Sequence, residues 1–484
     1  MSLADPRAVE QPQLARELTV KDATVLNMID MIGVGPFVTL PLVVGAMGGP
    51  QAMLGWMLGA LLAICDGLVW AELGAAFPGA GGSYQYLKRI YGPSGWGRLF
   101  AFLFVWQISF SAPLSIASGA VGVSRYAAYL FPSLESYGLG ITLAPGHHYG
   151  INAVNFLAIA LVLLSVLLLM RGIRAVSKIS WVLWAGVMAT LAWVIVSGLT
   201  HVHPHQIFDF PPNAFTFDRH FFLGLGSALI FATYDYWGYY NVCFLGAEVK
   251  DPERTIPRSL IASIALVAVL YMLLNASVVG VLPWKELQSI AATDLRFYTV
   301  STVMQRIYGN WAGSAVTLLV IWTGFASLFS LLLGYSRVPY AAALDGNYFK
   351  RFAALHPRYH IPHVALLSLG FTAAFFCLFR LRDLIAALVV IRVCLQFLLQ
   401  GIGLIILRTR DPQAPRPFRM WLYPLPALLS IIGFTFLLVS REDFSREIKI
   451  ASIIAVSGAM IFLLRGWKQH TWPFAVEPLQ GTSH

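Results

Sequence analysis

Four ionisable residues stand inside long apolar stretches of a chain in which charge is scarce: Asp30, Asp66, Asp235 and Arg392. An ionised group in a hydrocarbon environment is expensive, which makes each of them a functional candidate by default. Asp30 comes just before Ile32-Gly33-Val34-Gly35-Pro36-Phe37, and Asp235 lies within Thr233-Tyr234-Asp235-Tyr236-Trp237-Gly238-Tyr239-Tyr240-Asn241. Two carboxylates approaching one cavity would suit an amine, a polyamine or the side chain of a cationic amino acid, and are also candidate proton carriers. Alternatively, each is satisfied by local backbone donors and only holds its own segment. Asp66 and Arg392 fall near the middles of their blocks, where a buried structural pair, with each other or with Asp30, is favoured over a direct role in coupling.

The segments around Asp30 and Asp235 are poor helix. Two glycines and a proline within four residues disfavour a helix interior, and Pro36 is suited to restart a helix at its first position. Irregular backbone at membrane depth is tolerated only where it is buried in protein or lines a cavity. A restarted helix near Gly33–Phe37 offers free N–H groups and a positive dipole end to an anion such as a carboxylate. Exposed carbonyls near Phe231–Thr233 would accept from an ammonium. The predicted substrate-binding set is therefore Ile32, Gly33, Val34, Gly35 and Pro36 with Phe231, Ala232, Thr233, Asp235, Tyr236 and Trp237. A proline kink and an ordinary aromatic packing layer are the plainer alternative.

The elements that would position these residues follow from composition. Of 484 residues, 58% are hydrophobic and 12% charged, with a mean hydropathy of +0.70. That charged share is about half the usual one for a soluble domain, which excludes a disordered chain and argues against an ordinary soluble enzyme. The apolar residues form blocks of about 20, the length that crosses a bilayer. About twelve spans are predicted, near 24–47, 50–77, 98–130, 151–170, 177–199, 221–247, 257–282, 311–340, 363–380, 383–407, 422–440 and 447–466. Residues 1–22 lack the basic-then-apolar order of a cleaved signal peptide.

Net charge is +10, and its distribution is the informative part. Counted by connection, 22 lysines and arginines fall on the side of both termini and nine on the other. This asymmetry predicts that both termini are cytoplasmic, so the positive charge is a topology signal and not a nucleic-acid footprint. The breaks in spans 1 and 6 are equivalent positions if spans 1–5 and 6–10 are inverted repeats, the best sequence pointer to a transporter site at the midplane. The predicted organisation is a cytoplasmic tail (1–22), a first repeat (23–200), a second repeat (221–407), two further helices (422–466) and a C-terminal tail (467–484). The four cysteines have no zinc or disulfide spacing. His201, His203 and His205 are expected to be a solvated loop and not a metal site. No HExxH, P-loop or nucleophile–base motif is present, so neither an enzyme nor a cofactor is expected.

Taken with the segments at 71–84, 248–258, 336–362 and 416–418, these residues resemble the amino acid–polyamine–organocation (APC) transporters over roughly residues 17–440. Gly33-Val34-Gly35-Pro36-Phe37 looks like that family's span-1 motif. Ala71-Glu72-Leu73-Gly74 through Gly81-Gly82-Ser83-Tyr84, Glu248-Val249-Lys250-Asp251-Pro252 with Arg254 to Arg258, Ser336-Arg337 through Pro362, and Arg416-Pro417-Phe418 are similar to its later motifs, in order. The resemblance implies an all-α polytopic membrane protein of about twelve helices: a LeuT-like 5+5 inverted repeat with broken helices 1 and 6, plus two extra helices. It further implies alternating-access secondary transport of amino acids across the cytoplasmic membrane, proton-coupled or exchanging. A polyamine or other organic-cation transporter of the same family is the alternative, and a non-transporting receptor or a channel a more distant one. The implied partners are a small-molecule substrate, the lipid membrane and a proton, with no nucleic acid.

Some roles come only with the resemblance. Glu72 and Glu248 would pair with loop cations such as Lys88, Arg254 or Arg337 as an inner gate. Ser327 and Ser330 would be a sodium site, or would bond back to their own helix; a proton is preferred to sodium. Two departures bear on substrate. Many members carry isoleucine at the position of Pro36, and Gly-Pro-Phe resembles the polyamine-uptake branch. Many amino-acid members have a lysine in span 5, where this chain has Trp184-Ala185-Gly186-Val187-Met188-Ala189, so coupling through that lysine does not carry over.

Overall fold

In the hydrocarbon of a bilayer every backbone N–H and C=O must find a partner within the chain, which leaves helices as the elements available to these apolar blocks. A computed structural model describes residues 14–136, 138–144, 147–379, 382–441, 443–469 and 472–474. Most of the expected tails, 1–22 and 467–484, lie outside the described residues.

The first expected span is two helices, α1 (Val20–Met31) and α2 (Gly35–Met47), bent by 49° at the intervening residues. Thr19 starts α1 with a capping box, exchanging hydrogen bonds with Asp22. Next come α3 (Met53–Ala76), the short α4 (Ser83–Ile90) and the long α5 (Trp96–Leu130). An antiparallel hairpin, β1 (Gly138–Ala144) with β2 (His147–Asn152), leads into α6 (Ala153–Leu169) and α7 (Ile173–Thr200). The second interrupted pair is α8 (Arg219–Tyr236) and α9 (Asn241–Phe244), followed by α10 (Pro252–Val279). Two amphipathic helices, α11 (Trp284–Ala291) and α12 (Thr299–Tyr308), precede α13 (Asn310–Tyr335), which runs on into α14 (Arg337–Leu344). The chain ends through α15 (His363–Phe376), α16 (Arg382–Arg392), a π turn (Val393–Leu398), α17 (Leu399–Arg410), α18 (Leu425–Val439) and α19 (Phe444–Lys468).

Helix occupies every one of the expected blocks. Among the described residues, seven helices are long and apolar enough to cross a membrane, and the α1–α2 pair makes an eighth if counted as one span. α6, α15 and α18 are apolar but shorter. The protein is an all-α integral membrane protein, and its residue distribution fits: Val182, Phe371 and Ile453 on outer helix faces are 61%, 62% and 68% exposed, while Asn27, Gln107 and Gln400 are buried completely.

Packing places the two breaks side by side at the centre. α1 packs on α10 and α13, while α8 packs on α2 and α3; α3 runs along α10 and α5 along α13. The face at which α1 begins is tied shut by polar contacts. Glu17 N and Leu18 N donate to Glu248 O (2.9 and 3.0 Å), and Lys250 N donates to Leu18 O (2.8 Å). Arg174 donates to the Glu17 carboxylate at 2.7 Å and, by that hydrogen bond, holds its carboxyl below the ordinary value. Arg337 and Glu248 form a buried bidentate pair (3.0 and 2.9 Å), and Lys88 pairs with Asp345 at 2.6 Å.

Glu72 has cations as partners, but not the expected examples Lys88, Arg254 or Arg337. It accepts two bonds from Arg408 (2.8 and 2.5 Å), lies 3.6 Å from Arg416 and caps the Met420 amide at 2.8 Å. The reason is position: Glu72 sits on α3 beside the α17–α18 connection, so it clamps that connection to the bundle. Removing one member of a buried pair leaves the other uncompensated. Glu72→Ala is therefore expected to lower the stability of the detergent-solubilised protein by about 3–5 kcal/mol. The check is its unfolding midpoint, which an ornamental pair would leave where it was.

Candidate substrate site

At the first break, α1 closes with Ile32 N donating to Met28 O and Gly33 N to Met31 O (3.1 Å), and Ile32 is packed in the core. Of the amides expected to face a ligand, Phe37 N already donates to Val34 O (3.2 Å) and Pro36 has none. The Val34 and Gly35 N–H groups are the two left free there among the described residues.

The second break comes later than the sequence suggested. Phe231, Ala232 and Thr233 are helical, and α8 continues to Tyr236 before the backbone turns at Trp237 (φ −62°, ψ 145°) and Gly238 (φ +121°). Trp237 is already extended, and Gly238 completes the turn, supplying the positive φ at little steric cost. Ala232 lies under Gly59 of α3, while Phe231 and Thr233 border a side cavity of about 370 Å³. Tyr236 also departs from the expected wall: it is buried against Trp56 and Tyr271, with ring centroids 6.1 and 5.2 Å away.

The two breaks are held against each other by contacts that no local motif announced. The Tyr271 hydroxyl on α10 reaches both, lying 2.8 Å from Met31 O and 3.1 Å from Asp235 O. A Cβ on Gly238 would lie 2.8 Å from Met31 N, so backbone rests on backbone there. Gly35 is seated on the Asp235 carboxylate, where a Cβ would collide with Oδ1, and Thr39 of α2 donates to Oδ2 of the same carboxylate. From α13, Ser327 donates to Asp30 O (3.1 Å) and Ser330 to Leu26 O (2.9 Å). These hydroxyls therefore strut α1 instead of bonding back into their own helix. Asn241 donates to Ser330, and Asn27 accepts from Val242 N at 3.0 Å.

Between the breaks lies a cavity of about 200 Å³. Asp30, Asp235, Trp237 and Arg392 border it together with hydroxyls of Ser115, Ser118 and Ser327 and the rings of Tyr234, Tyr240 and Tyr335. Asp30 Oδ1, Asp235 Oδ1, Arg392 Nε and Trp237 Nε1 are buried without a hydrogen-bond partner. Through Ser118 the cavity adjoins a wider vestibule of about 500 Å³ bordered by Arg125 and Arg296, which leads away from the face where α1 begins. Towards that face it is closed by Trp70 stacked on Tyr240 (4.9 Å) and, beyond, by the Arg337–Glu248 pair.

The expected Asp66–Arg392 pair does not form. Asp66 is held by hydroxyls, accepting from Tyr239 (2.6 Å) and Ser430 (3.0 Å), on the side of α3 turned away from the cavity. Arg392 instead shares the cavity with Asp30. Sequence reasoning passed over Asn27, Thr39, Gly238 and Tyr271; each is a polar or glycine residue in an apolar block, which is the only signal it carried. Among the described residues no group of three or more metal-ligating side chains occurs.

Two broken helices around a buried polar cavity, in an all-helical membrane protein, define a solute carrier of the broken-helix kind. Residues 18–462 match the amino acid permease family, and the chain belongs to it, within the APC superfamily; it is a membrane transporter and not an enzyme. It is 27% identical to the branched-chain amino acid permease BcaP of Bacillus subtilis over 438 residues, covering 89% of each chain. It is 26% identical to the serine/threonine exchanger SteT of Bacillus subtilis, covering 89% of this chain and 92% of that one. With human cationic amino acid transporter 4 it shares 26% identity over 84% of this chain and 62% of that one.

A side chain at 238 would meet both a strained φ and the backbone of α1. Gly238→Ala is expected to cost roughly 1–3 kcal/mol and to remove ligand-dependent thermal stabilisation. Gly79→Ala, whose Cβ would meet only Gln85 Cγ at 3.9 Å, is the matched control and should retain both stability and ligand response.

Proposed function

We propose that the protein carries amino acids across the cytoplasmic membrane by alternating access, coupled to protons or in exchange, with both termini in the cytoplasm. Twelve spans, arranged as two inverted repeats (23–200 and 221–407) and two further helices, are part of this reading. The observation that carries it is the cavity between two broken helices, closed towards one face and adjoining a vestibule on the other. The packing of α1 on α10 and of α8 on α3 relates corresponding helices of the two halves and supports the repeat. The names of the relatives, for branched-chain, hydroxyl-bearing and cationic amino acids, support the substrate class.

A second reading, a carrier of amines or polyamines without a carboxylate, is favoured by one observation. Asp30 Oδ1 and Asp235 Oδ1 both stand in the buried site without donors, and a cationic substrate would satisfy them.

Thermal-shift screening of the purified protein with amino acids, agmatine, putrescine and spermidine separates the two, since stabilisation by carboxylate-free amines alone would sink the amino-acid reading. Counterflow in liposomes is expected to show substrate-dependent exchange; its absence argues against a carrier. Asp235→Asn, which keeps a group for Thr39 to bond, is expected to abolish uptake of a cationic substrate. Unchanged affinity for such a substrate would leave Asp235 with a structural role.

A further inference from the structure

Arg392 is a buried guanidinium with no carboxylate within ion-pair distance among the described residues, although Asp30 borders the same cavity. It is 4% exposed, two of its nitrogens donate to Tyr335 Oη (3.1 Å) and Ser111 Oγ (2.9 Å), and its Nε donates to nothing. A buried cation without a direct ion pair is costly, and an ionisable group left so inside a membrane protein is a functional candidate. Its setting fixes its aim. The guanidinium lies over the rings of Trp237 (5.9 Å) and Tyr335 (5.4 Å), and Trp237 is itself stacked on Phe397 (5.1 Å) and Phe397 on Phe434 (4.3 Å). The π turn begins at the next residue, and such turns recur at functional sites.

A substrate carboxylate in this cavity has two places to go. The start of α2 is one and keeps the free Val34 and Gly35 N–H groups, but Pro36 brings no N–H, Phe37 N is committed, and the Asp235 carboxylate is already seated against Gly35. A second carboxylate there would meet like charge at short range. The other place is Arg392, whose planar fork matches a carboxylate. We infer that Arg392 is the carboxylate-binding residue of the site, so that an α-amino acid lies with its carboxylate on the guanidinium and its ammonium turned towards Asp30 and Asp235. This rests on the amino-acid reading above and reverses the polarity that the helix ends alone would give.

The test pairs each amino acid with the same molecule lacking the carboxylate: leucine with isoamylamine and leucinamide, serine with ethanolamine, lysine with cadaverine. Thermal shift and equilibrium binding are read on the purified wild type, Arg392→Gln and Arg392→Lys. The wild type should be stabilised by an amino acid and bind its decarboxylated or amidated partner much more weakly. Arg392→Gln should weaken the amino acid roughly tenfold to a hundredfold, the loss of a charged hydrogen-bond partner, while the amine changes far less. Arg392→Lys keeps the charge without the fork and should fall between them. If Arg392→Gln does not fold, the Arg392→Lys ratio and the leucine-to-leucinamide ratio on the wild type carry the test. An amino acid that binds wild type and variant alike, or binds no better than its amide, overturns the role of Arg392 and leaves the amino-acid reading standing. A wild type stabilised by amines alone, or by none of these compounds, overturns the amino-acid reading and this inference with it.

Discussion

Interrupting a helix inside a membrane leaves carbonyls that no water can reach, and each unsatisfied one costs several kcal/mol, on the order of a lost buried hydrogen bond. Hydroxyls from α13 meet part of this along α1, and one phenol joins the two breaks. The Tyr271 hydroxyl lies within hydrogen-bonding distance of the last carbonyl of α1 and of one in the last turn of α8, so the two breaks share a single donor from a third helix. The geometry follows from that sharing. Both helix ends must converge on one oxygen, which brings Gly238 onto the backbone of Asp30 and Met31 and leaves the cavity as the space on the other side of the contact. Trp56 and Tyr236 pack around Tyr271 and fix the ring that carries the hydroxyl.

The few membrane charges meet different fates, and the differences define the site. Glu72 and Glu248 are spent on arginines at the face where α1 begins. Asp66 is spent on two hydroxyls. Asp30, Asp235 and Arg392 keep unpartnered polar atoms, and all three border one cavity. Unpartnered polar atoms also occur elsewhere in the interior, but here two carboxylates and a guanidinium keep theirs around one cavity, and charged groups left with free capacity in a low-dielectric medium are what a polar ligand would satisfy.

The membrane class, the family and the first break were legible in the sequence because each is a local property: apolar block length, motif order, and glycines beside a proline. The second break was placed too early because the polar and aromatic run around Asp235 was read as non-helical, whereas those side chains sit on a helix through Tyr236, and the backbone turns only at Trp237 and Gly238. The pairing of Asp66 with Arg392 failed for a different cause. Both stand at mid-membrane depth, but depth does not say which face of a helix a residue is on, and α3 turns Asp66 towards α18. Tyr271 and Asn27 could not be singled out at all, since their roles exist only once helices more than two hundred residues apart in sequence are packed together.

The contact between Gly35 and Asp235 has an evolutionary consequence. A side chain at 35 would enter the volume that the Asp235 carboxylate fills, and Thr39 would then keep only Gly35 O as its acceptor. The two positions are thus coupled: a side chain at 35 requires the carboxylate at 235 to move or to shorten. A substitution at one of the two positions therefore changes which residues the other can hold, so a change of substrate that alters either end of this contact draws the other with it.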